Sequence, residues 1–215
     1  MNTVFFDDIN SYNDLRLILS KKTIGAPSPK VLSVDIPGGN GALDYTDFFG
    51  EIHYYNRALK FEFSIIDNPK NFPDRYSHIL NTLNGRKMKI VLSDDKEFYY
   101  IGRVVVNDWE SEKRIGKVVV EVDTEPYKLK NEITVISIVA TEKTVISCKN
   151  DRMKVQPTIT LSDEAIVTFG NLDIAWKAGT HTSDDILFSE GENIITVTPK
   201  GRSTSVSIAY QEGRL

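Results

Sequence analysis

The 215 residues carry 26 Lys and Arg against 30 Asp and Glu, a formal net charge of -4, and 40% of them are hydrophobic. Proteins that hold nucleic acid usually present clustered basic residues, so this balance argues against tight phosphate binding. One cysteine excludes an intrachain disulfide, and no apolar run approaches the roughly 20 residues of a membrane-spanning helix. Asp7 and Asp8 stand where a signal peptide would need basic residues, which predicts synthesis and folding in the cytosol.

The first distinctive segment is a glycine-rich turn, Pro37-Gly38-Gly39-Asn40-Gly41. A phosphate-binding loop would require a Lys-Ser/Thr pair and a helix immediately after it, and both are missing. We therefore interpret it as a tight turn between two extended segments.

Strand patterns dominate the rest of the chain. Phe61, Phe63 and Ile65 alternate with polar residues, which predicts a strand with one buried face. The other predicted strands are rich in β-branched and aromatic residues. They are residues 88–92, 98–106, 117–122, 133–139, 144–148, 165–169, 194–198 and 204–210.

One segment predicts a helix, residues 73–84. Its apolar side chains fall on one face, as an amphipathic helix packed on a sheet requires. Pro73 is favourable in a first helical turn, and Gly85 can end the helix in a left-handed conformation. The helical pattern ends there, and only short strands follow residue 130. We expect two domains, residues 1–130 with the helix and residues 131–215 as a small β-sandwich.

The chain offers no recognisable catalytic or metal site. Its three histidines, His53, His78 and His181, lack metal-ligand spacing, and Cys148 lies on a predicted strand, where a buried apolar role is expected. Adjacent acidic residues point to opposite faces of a strand and are common in turns. We predict no enzyme activity, no cofactor and no metal.

Aromatic residues leave a binding function open. Rings such as Trp109 and Trp176 could stack on sugars, although buried or interface roles are more common. Among the consecutive Phe98, Tyr99 and Tyr100, at least one ring must point away from the core. We expect it to meet another domain or subunit.

The segment from Leu32 to Phe63 resembles the N-terminal domain of siphovirus distal tail proteins. It contains, in order, an extended stretch, a Pro-Gly-x-x-Gly turn, Leu43-Asp44, a tyrosine at 54 or 55, Arg57 and a phenylalanine-rich strand. The helix, Glu125-Pro126-Tyr127 and the C-terminal Tyr-x-Glu-Gly-x-Leu also resemble that family. The resemblance implies a mainly β first domain with one helix, followed by a smaller galectin-like β-sandwich.

What the resemblance implies about function is structural. Members of this family form a homo-hexameric ring at the tip of a long non-contractile phage tail, which implies a location in the virion. The implied partners are further copies of the chain in one or two stacked rings, the tail tube protein, the tail-associated tip protein and the receptor-binding protein. DNA would pass through the ring without specific binding, and no membrane insertion is expected. The alternative is a glycan-binding β-sandwich on a phage or cell surface.

The implied assembly residues lie between residues 29 and 57, which we expect to form a belt between subunits. This region holds more aromatic surface than a lone hairpin can bury. We further expect Asp44 and Arg57 to fix the belt against the Phe61 strand or a neighbouring subunit. The candidate interface residues are Pro37, Gly38, Gly41, Asp44, Tyr45, Phe48, Phe49, Tyr54, Tyr55 and Arg57.

Overall fold

The fold is taken from a computed structural model, which describes residues 2–48 and 50–215. The chain divides into two compact units between Lys128 and Leu129. Both are built almost entirely from antiparallel strands, so the mainly β fold with one α-helix, predicted from the sequence, is confirmed.

The described part of the first unit has nine strands and one α-helix. In chain order its elements are β1 (Val4–Phe6), β2 (Ile9–Asn10), β3 (Ile18–Ile24), β4 (Ser33–Asp35), β5 (Ala42–Asp44), β6 (Arg57–Ile66), a 3-10 turn (Pro69–Asn71), α1 (Phe72–Leu83), β7 (Lys87–Leu92), β8 (Asp95–Glu112) and β9 (Ile115–Thr124). Seven strands form one antiparallel path in the order β2-β1-β7-β8-β9-β6-β3. Among the residues that the structure describes, strands β4 and β5 pair only with each other, in a separate hairpin.

The alternation of apolar and polar residues along β6 determines which face of this sheet packs against the core. Leu59, Phe61, Phe63 and Ile65 are all fully buried, whereas the residues between them are not. Burying a Leu, Ile or Phe side chain contributes about 1.5–3 kcal/mol, and a slip by one residue would expose all four. The hydrophobic pattern of this strand therefore fixes its register against β3 and β9.

Helix α1 covers the same core. It runs Phe72–Leu83, one residue earlier at each end than predicted, and buries Phe72, Ile79 and Leu83. Gly85 follows the helix with φ 77°, the left-handed conformation in which glycine has no steric cost. No helix within the described residues is long and apolar enough to cross a membrane.

Strand β8 is twice as long as the predicted segment, residues 98–106. It continues to Glu112 and stays paired with β9, and the register of this pairing shifts between Val106 and Trp109. Beyond the shift Trp109 still packs on Phe72 and Tyr76 of α1, and the alternation is lost from Glu110 to Glu112, where the hairpin extends past the core. Strand β3 was not predicted, since its consecutive lysines, Lys21 and Lys22, and a bulge after Leu19 break the two-residue period.

The second unit is a β-sandwich. After β10 (Lys128–Lys130), which contains the boundary, its strands are β11 (Thr134–Ala140), β12 (Thr144–Asn150), β13 (Thr158–Leu161), β14 (Ala165–Phe169), β15 (Leu172–Trp176), β16 (Gly179–His181), β17 (Gly191–Pro199), β18 (Thr204–Tyr210) and β19 (Gly213–Arg214). Two four-stranded sheets, β11-β18-β13-β16 and β12-β17-β14-β15, contribute to one apolar core. Five of these strands were predicted. The other five, β10, β13, β15, β16 and β19, were not predicted, because they have only two to five residues and show too little alternation.

The carboxylate of Asp67 organises the segment that leads into α1. Asp67 accepts hydrogen bonds from the Asn71 amide at 2.9 Å, the Asn68 N–H at 2.7 Å and Arg75 Nε at 2.9 Å. These donors, the Asn71 amide foremost, lower the pKa of Asp67 to about 2. The charged form is thus favoured in the folded protein relative to an unfolded value of about 3.9.

Replacing Asp67 by Asn should reduce the acid sensitivity of the fold. A depressed pKa contributes stability above about pH 4 that is lost as pH falls towards 2, and an amide cannot contribute it. Thermal midpoints measured between pH 2 and 5 should therefore fall less steeply in Asp67→Asn than in the parent. Asp74→Asn, at an exposed position in the first turn of α1, should keep the parental slope. If the thermal midpoint fell equally steeply with pH in the parent and in Asp67→Asn, the stabilising role assigned to the Asp67 charge would be contradicted.

Candidate assembly interface

Residues 31–56 form an arm that leaves the sheet between β3 and β6. Its centre is the β4–β5 hairpin, in which Ser33 pairs with Asp44 and Asp35 with Ala42. At its base the Lys30 N–H donates to the His53 carbonyl at 2.8 Å, and the Tyr55 N–H donates to the Ser28 carbonyl at 2.9 Å. Both ends of the arm are therefore held by backbone pairing.

The turn of the arm is the glycine-rich segment. Gly38 and Gly41 have φ of 75° and 78°, and the Gly39 N–H donates to the Ile36 carbonyl at 3.0 Å. Side chains with a Cβ adopt this backbone region at a cost, largest for β-branched residues. The predicted tight turn is present, and Pro37 precedes its first left-handed glycine.

The arm exposes a large apolar surface. Phe48 is 69% exposed and Tyr55 58%, and the rings of Tyr45 and Phe48 contact each other edge to face at 5.7 Å instead of entering the core. Five aliphatic side chains on and beside the hairpin are also exposed: Val31, Leu32, Val34, Ile36 and Leu43. Contiguous apolar surface of this kind marks interaction sites in soluble proteins.

Its charges all have one sign. Residues 31–56 contain Asp35, Asp44, Asp47 and Glu51 but no Lys or Arg. Asp44 accepts the Thr46 N–H at 2.9 Å, and its hydrogen bonds with Thr46 lower the pKa of its carboxyl. The arm is thus an acidic apolar surface at neutral pH.

Arg57, the first residue of β6, lies at the base of the arm and is only 6% exposed. Its guanidinium carbon stands 4.7 Å from the centre of the Tyr100 ring. Nε and Nη2 are buried and have no hydrogen-bond acceptor within the described part of the chain. Burial lowers the pKa of Arg57, and the interaction with Tyr100 opposes that shift.

The structure separates two residues that we expected to act together. Asp44 bonds Thr46 on the exposed arm, whereas Arg57 packs on Tyr100 in the core, so the direct contact is absent within one chain. Tyr54 instead meets the ring of Tyr127 at 6.0 Å, edge to face. Phe49, also a candidate, lies outside the described residues.

The exposed aliphatic residues of the arm were not among the candidates. Leu32, Val34 and Leu43 have the composition of buried strand residues, and sequence alone cannot show that no second layer covers them. Nothing in the sequence indicated that Tyr100 contacts Arg57, because the two residues are far apart in the chain.

The residues considered for chemistry are not brought together. No group of three or more His, Cys, Asp or Glu able to hold a metal occurs among the residues that the structure describes. Cys148 is fully buried, and burial raises the pKa of its thiol to about 11, which disfavours the reactive thiolate. The Trp176 ring is stacked on His181 at 4.9 Å, so one of its faces is not free for a sugar.

Replacing Arg57 by Met should stabilise the protein. Each buried donor without an acceptor costs about 1–3 kcal/mol, and the contact with Tyr100 returns about 2 kcal/mol. Met fills a similar volume over the ring without these donors, so unfolding should require about 1–2 kcal/mol more, measured by denaturant titration. Arg114→Met, at an exposed position between β8 and β9, should change stability by less than about 0.5 kcal/mol. A destabilised Arg57→Met would contradict this account.

A search against protein-family models and a search of curated proteins gave no match. Among solved structures the chain is similar to the SPP1 Dit (gp 19.1) protein, described as a paradigm of the hub adsorption apparatus in phages that infect Gram-positive bacteria. The similarity covers 100% of both chains with a TM-score of 0.70 and 17% sequence identity. The mainly β fold that the sequence resemblance implies is confirmed: this chain has the fold of a phage Dit protein.

Proposed function

We propose that this protein is a structural distal tail protein of a long non-contractile phage tail, where copies form a hexameric ring at the tip of the tube. The observation that carries the proposal is the exposed arm, in a chain with the full-length fold of SPP1 Dit. The subunit buries its own core completely but leaves this arm exposed to solvent. We infer that the arm contacts another subunit in the assembly. The arm then joins neighbouring copies.

The remaining roles follow from that position. The ring connects the tail tube protein to the tail-associated tip protein and the receptor-binding protein, in one ring or two stacked rings. Its centre leaves a passage for DNA, which an acidic subunit does not retain electrostatically. The function requires no catalysis, cofactor or metal, and the protein resides in the virion.

The turn of the arm provides a direct test. Gly41→Val places a β-branched residue at φ 78°, which costs at least about 1–2 kcal/mol locally and distorts the hairpin. We expect the loss of rings in negative-stain images and of the hexamer mass in light scattering, with the core still folded by circular dichroism.

Gly170→Val is the matched control. Gly170 also has a positive φ, 58°, and open space around its Cβ, but it forms the turn between β14 and β15 of the second unit. The same local strain should leave ring formation unchanged there. Rings of native size and yield from Gly41→Val would remove the arm from the assembly mechanism, and a parent protein that forms no rings would contradict the proposed function itself.

The second unit is proposed to be a separately folding, peripheral domain. Its core residues come from its own two sheets, as expected for a domain that folds alone. A fragment of residues 1–128 should then be soluble and form rings, and limited proteolysis of the full chain should cut near residues 128–132. A fragment that cannot assemble while the full chain does would make the second unit integral to the ring.

A further inference from the structure

The chain contains two asparagines that are followed directly by glycine, in the pairs Asn40-Gly41 and Asn84-Gly85. Asparagine is a thermolabile residue because its side-chain amide can be lost when the backbone nitrogen of the next residue attacks Cγ. A following glycine favours this attack, since it has no Cβ to hinder the approach of its own nitrogen. The two pairs thus share the same intrinsic chemistry, and only their surroundings can make them differ.

The two pairs are alike in accessibility and in backbone conformation. All four residues are exposed. Gly41 has φ of 78° and Gly85 has φ of 77°, and at both glycines the position of a Cβ is surrounded by open space. Neither the access of water nor steric hindrance therefore distinguishes one pair from the other.

Hydrogen bonds hold both reacting groups of the Asn84-Gly85 pair. Asn84 Oδ1 accepts the Val106 N–H at 2.9 Å, and the Gly85 N–H donates to the Val104 carbonyl at 2.8 Å. Both partners belong to β8, inside the main sheet of the first unit. The carboxamide cannot turn towards the glycine nitrogen until these bonds break, so a reaction at Asn84 requires local opening of the fold.

The Asn40-Gly41 pair lacks both restraints. Among the residues that the structure describes, the Asn40 carboxamide and the Gly41 N–H have no hydrogen-bond partner. The backbone hydrogen bond of the turn, from the Gly39 N–H to the Ile36 carbonyl at 3.0 Å, ends one residue before the pair. Asn40 and Gly41 can therefore meet the geometry of the attack while the rest of the protein stays folded.

We propose that Asn40 is a site of spontaneous deamidation in the folded protein, from which Asn84 is protected. This inference does not depend on the proposed function, because a chain that forms no rings would be modified in the same way. It assigns a covalent modification to the turn of the arm.

The reaction consumes one water molecule and releases one ammonia. The Gly41 nitrogen loses its proton to a base in solution and forms a bond to Asn40 Cγ. The bond between Cγ and Nδ2 breaks, and the leaving nitrogen takes up protons from solvent as ammonia. Water then opens the succinimide ring at either of its two carbonyl carbons. The products are aspartate and isoaspartate, and nothing is oxidised or reduced.

Either product adds negative charge to the arm. An exposed carboxyl has a pKa of about 4, so the new group is ionised at neutral pH. The arm contains no Lys or Arg that could offset it. Its existing carboxylates are Asp35, Asp44, Asp47 and Glu51.

Isoaspartate also changes the backbone of the hairpin. Its main chain runs through the side-chain carbon, so one methylene is inserted between residues 40 and 41, directly before β5. The length of a hairpin turn sets the register of the strands that it joins. Strands β4 and β5 pair over three residues each, which is too short a ladder to hold its register against a longer turn. The arm with isoaspartate therefore differs in shape as well as in charge.

The test is the rate of conversion at the two asparagines in the full-length parent protein. The folded protein is incubated at mildly alkaline pH, where loss of the amide proton is faster, and samples are digested with trypsin over time. Peptides 31–57 and 76–86 then report Asn40 and Asn84 separately by mass spectrometry. We expect Asn40 to convert at least about tenfold faster, because only Asn84 requires local opening.

The same measurement in concentrated guanidinium chloride is the first control. Denaturation removes the hydrogen bonds of Asn84 and Gly85, so the two asparagines should then convert at rates that agree within about threefold. A preference for Asn40 that stayed at tenfold in denaturant would attribute the difference to the flanking residues and overturn the proposal.

A matched pair of variants is the second control. Glutamine would have to close a six-membered ring, which is much slower, so Asn40→Gln should no longer accumulate the main acidic form that the parent shows in ion-exchange chromatography. Asn84→Gln should accumulate this form at the parental rate, with circular dichroism verifying its fold. Equal rates at Asn40 and Asn84 in the folded parent, or an Asn40 that stays intact while the denatured protein is converted, would rule out the site.

Discussion

The two-residue alternation of β6 is the constraint on which the first unit depends. Leu59, Phe61, Phe63 and Ile65 enter the core together, and the same alternation directs Arg57 inward at the start of the strand. The guanidinium of Arg57 is thus buried because the four apolar residues fix the register of β6. The combined burial of those residues exceeds the cost of two donors without acceptors, and Tyr100 offsets part of that cost.

The arm depends on the same register. It begins after β3 and ends at Arg57, and the Gly25 N–H bonds the Ala58 carbonyl at 2.9 Å where the two strands part. A hairpin whose base is fixed in this way projects from a defined edge of the sheet, although its own strands have only three residues each. Isolated two-stranded hairpins are marginally stable in water, so a partner surface would stabilise the arm as well as hold it.

The distribution of charge is organised by strand face. Cations outward on β3 and β6 have carboxylates across the neighbouring strand, and Arg103 of β8 likewise lies opposite Asp123 of β9. The sequence shows Arg86, Lys87 and Lys89 close together after α1, and Arg86 does bond a carbonyl near the end of that helix, as expected from its dipole. Only the pairing of β7 with β8 adds Arg103 to this group.

The sequence by itself determined the single helix, the buried face of β6, the tight turn at residues 37–41 and the excess of β-structure, because each depends on local periodicity or on the conformations open to glycine and proline. It did not determine the full length of β8, the irregular strand β3, most strands of two to five residues or the separation of Asp44 from Arg57. Those features depend on which strand pairs with which, and on what covers each face. Residues as distant as Arg57 and Tyr100 meet only when the sheet forms, and an apolar segment such as 31–36 stays exposed only because no layer of its own chain reaches it.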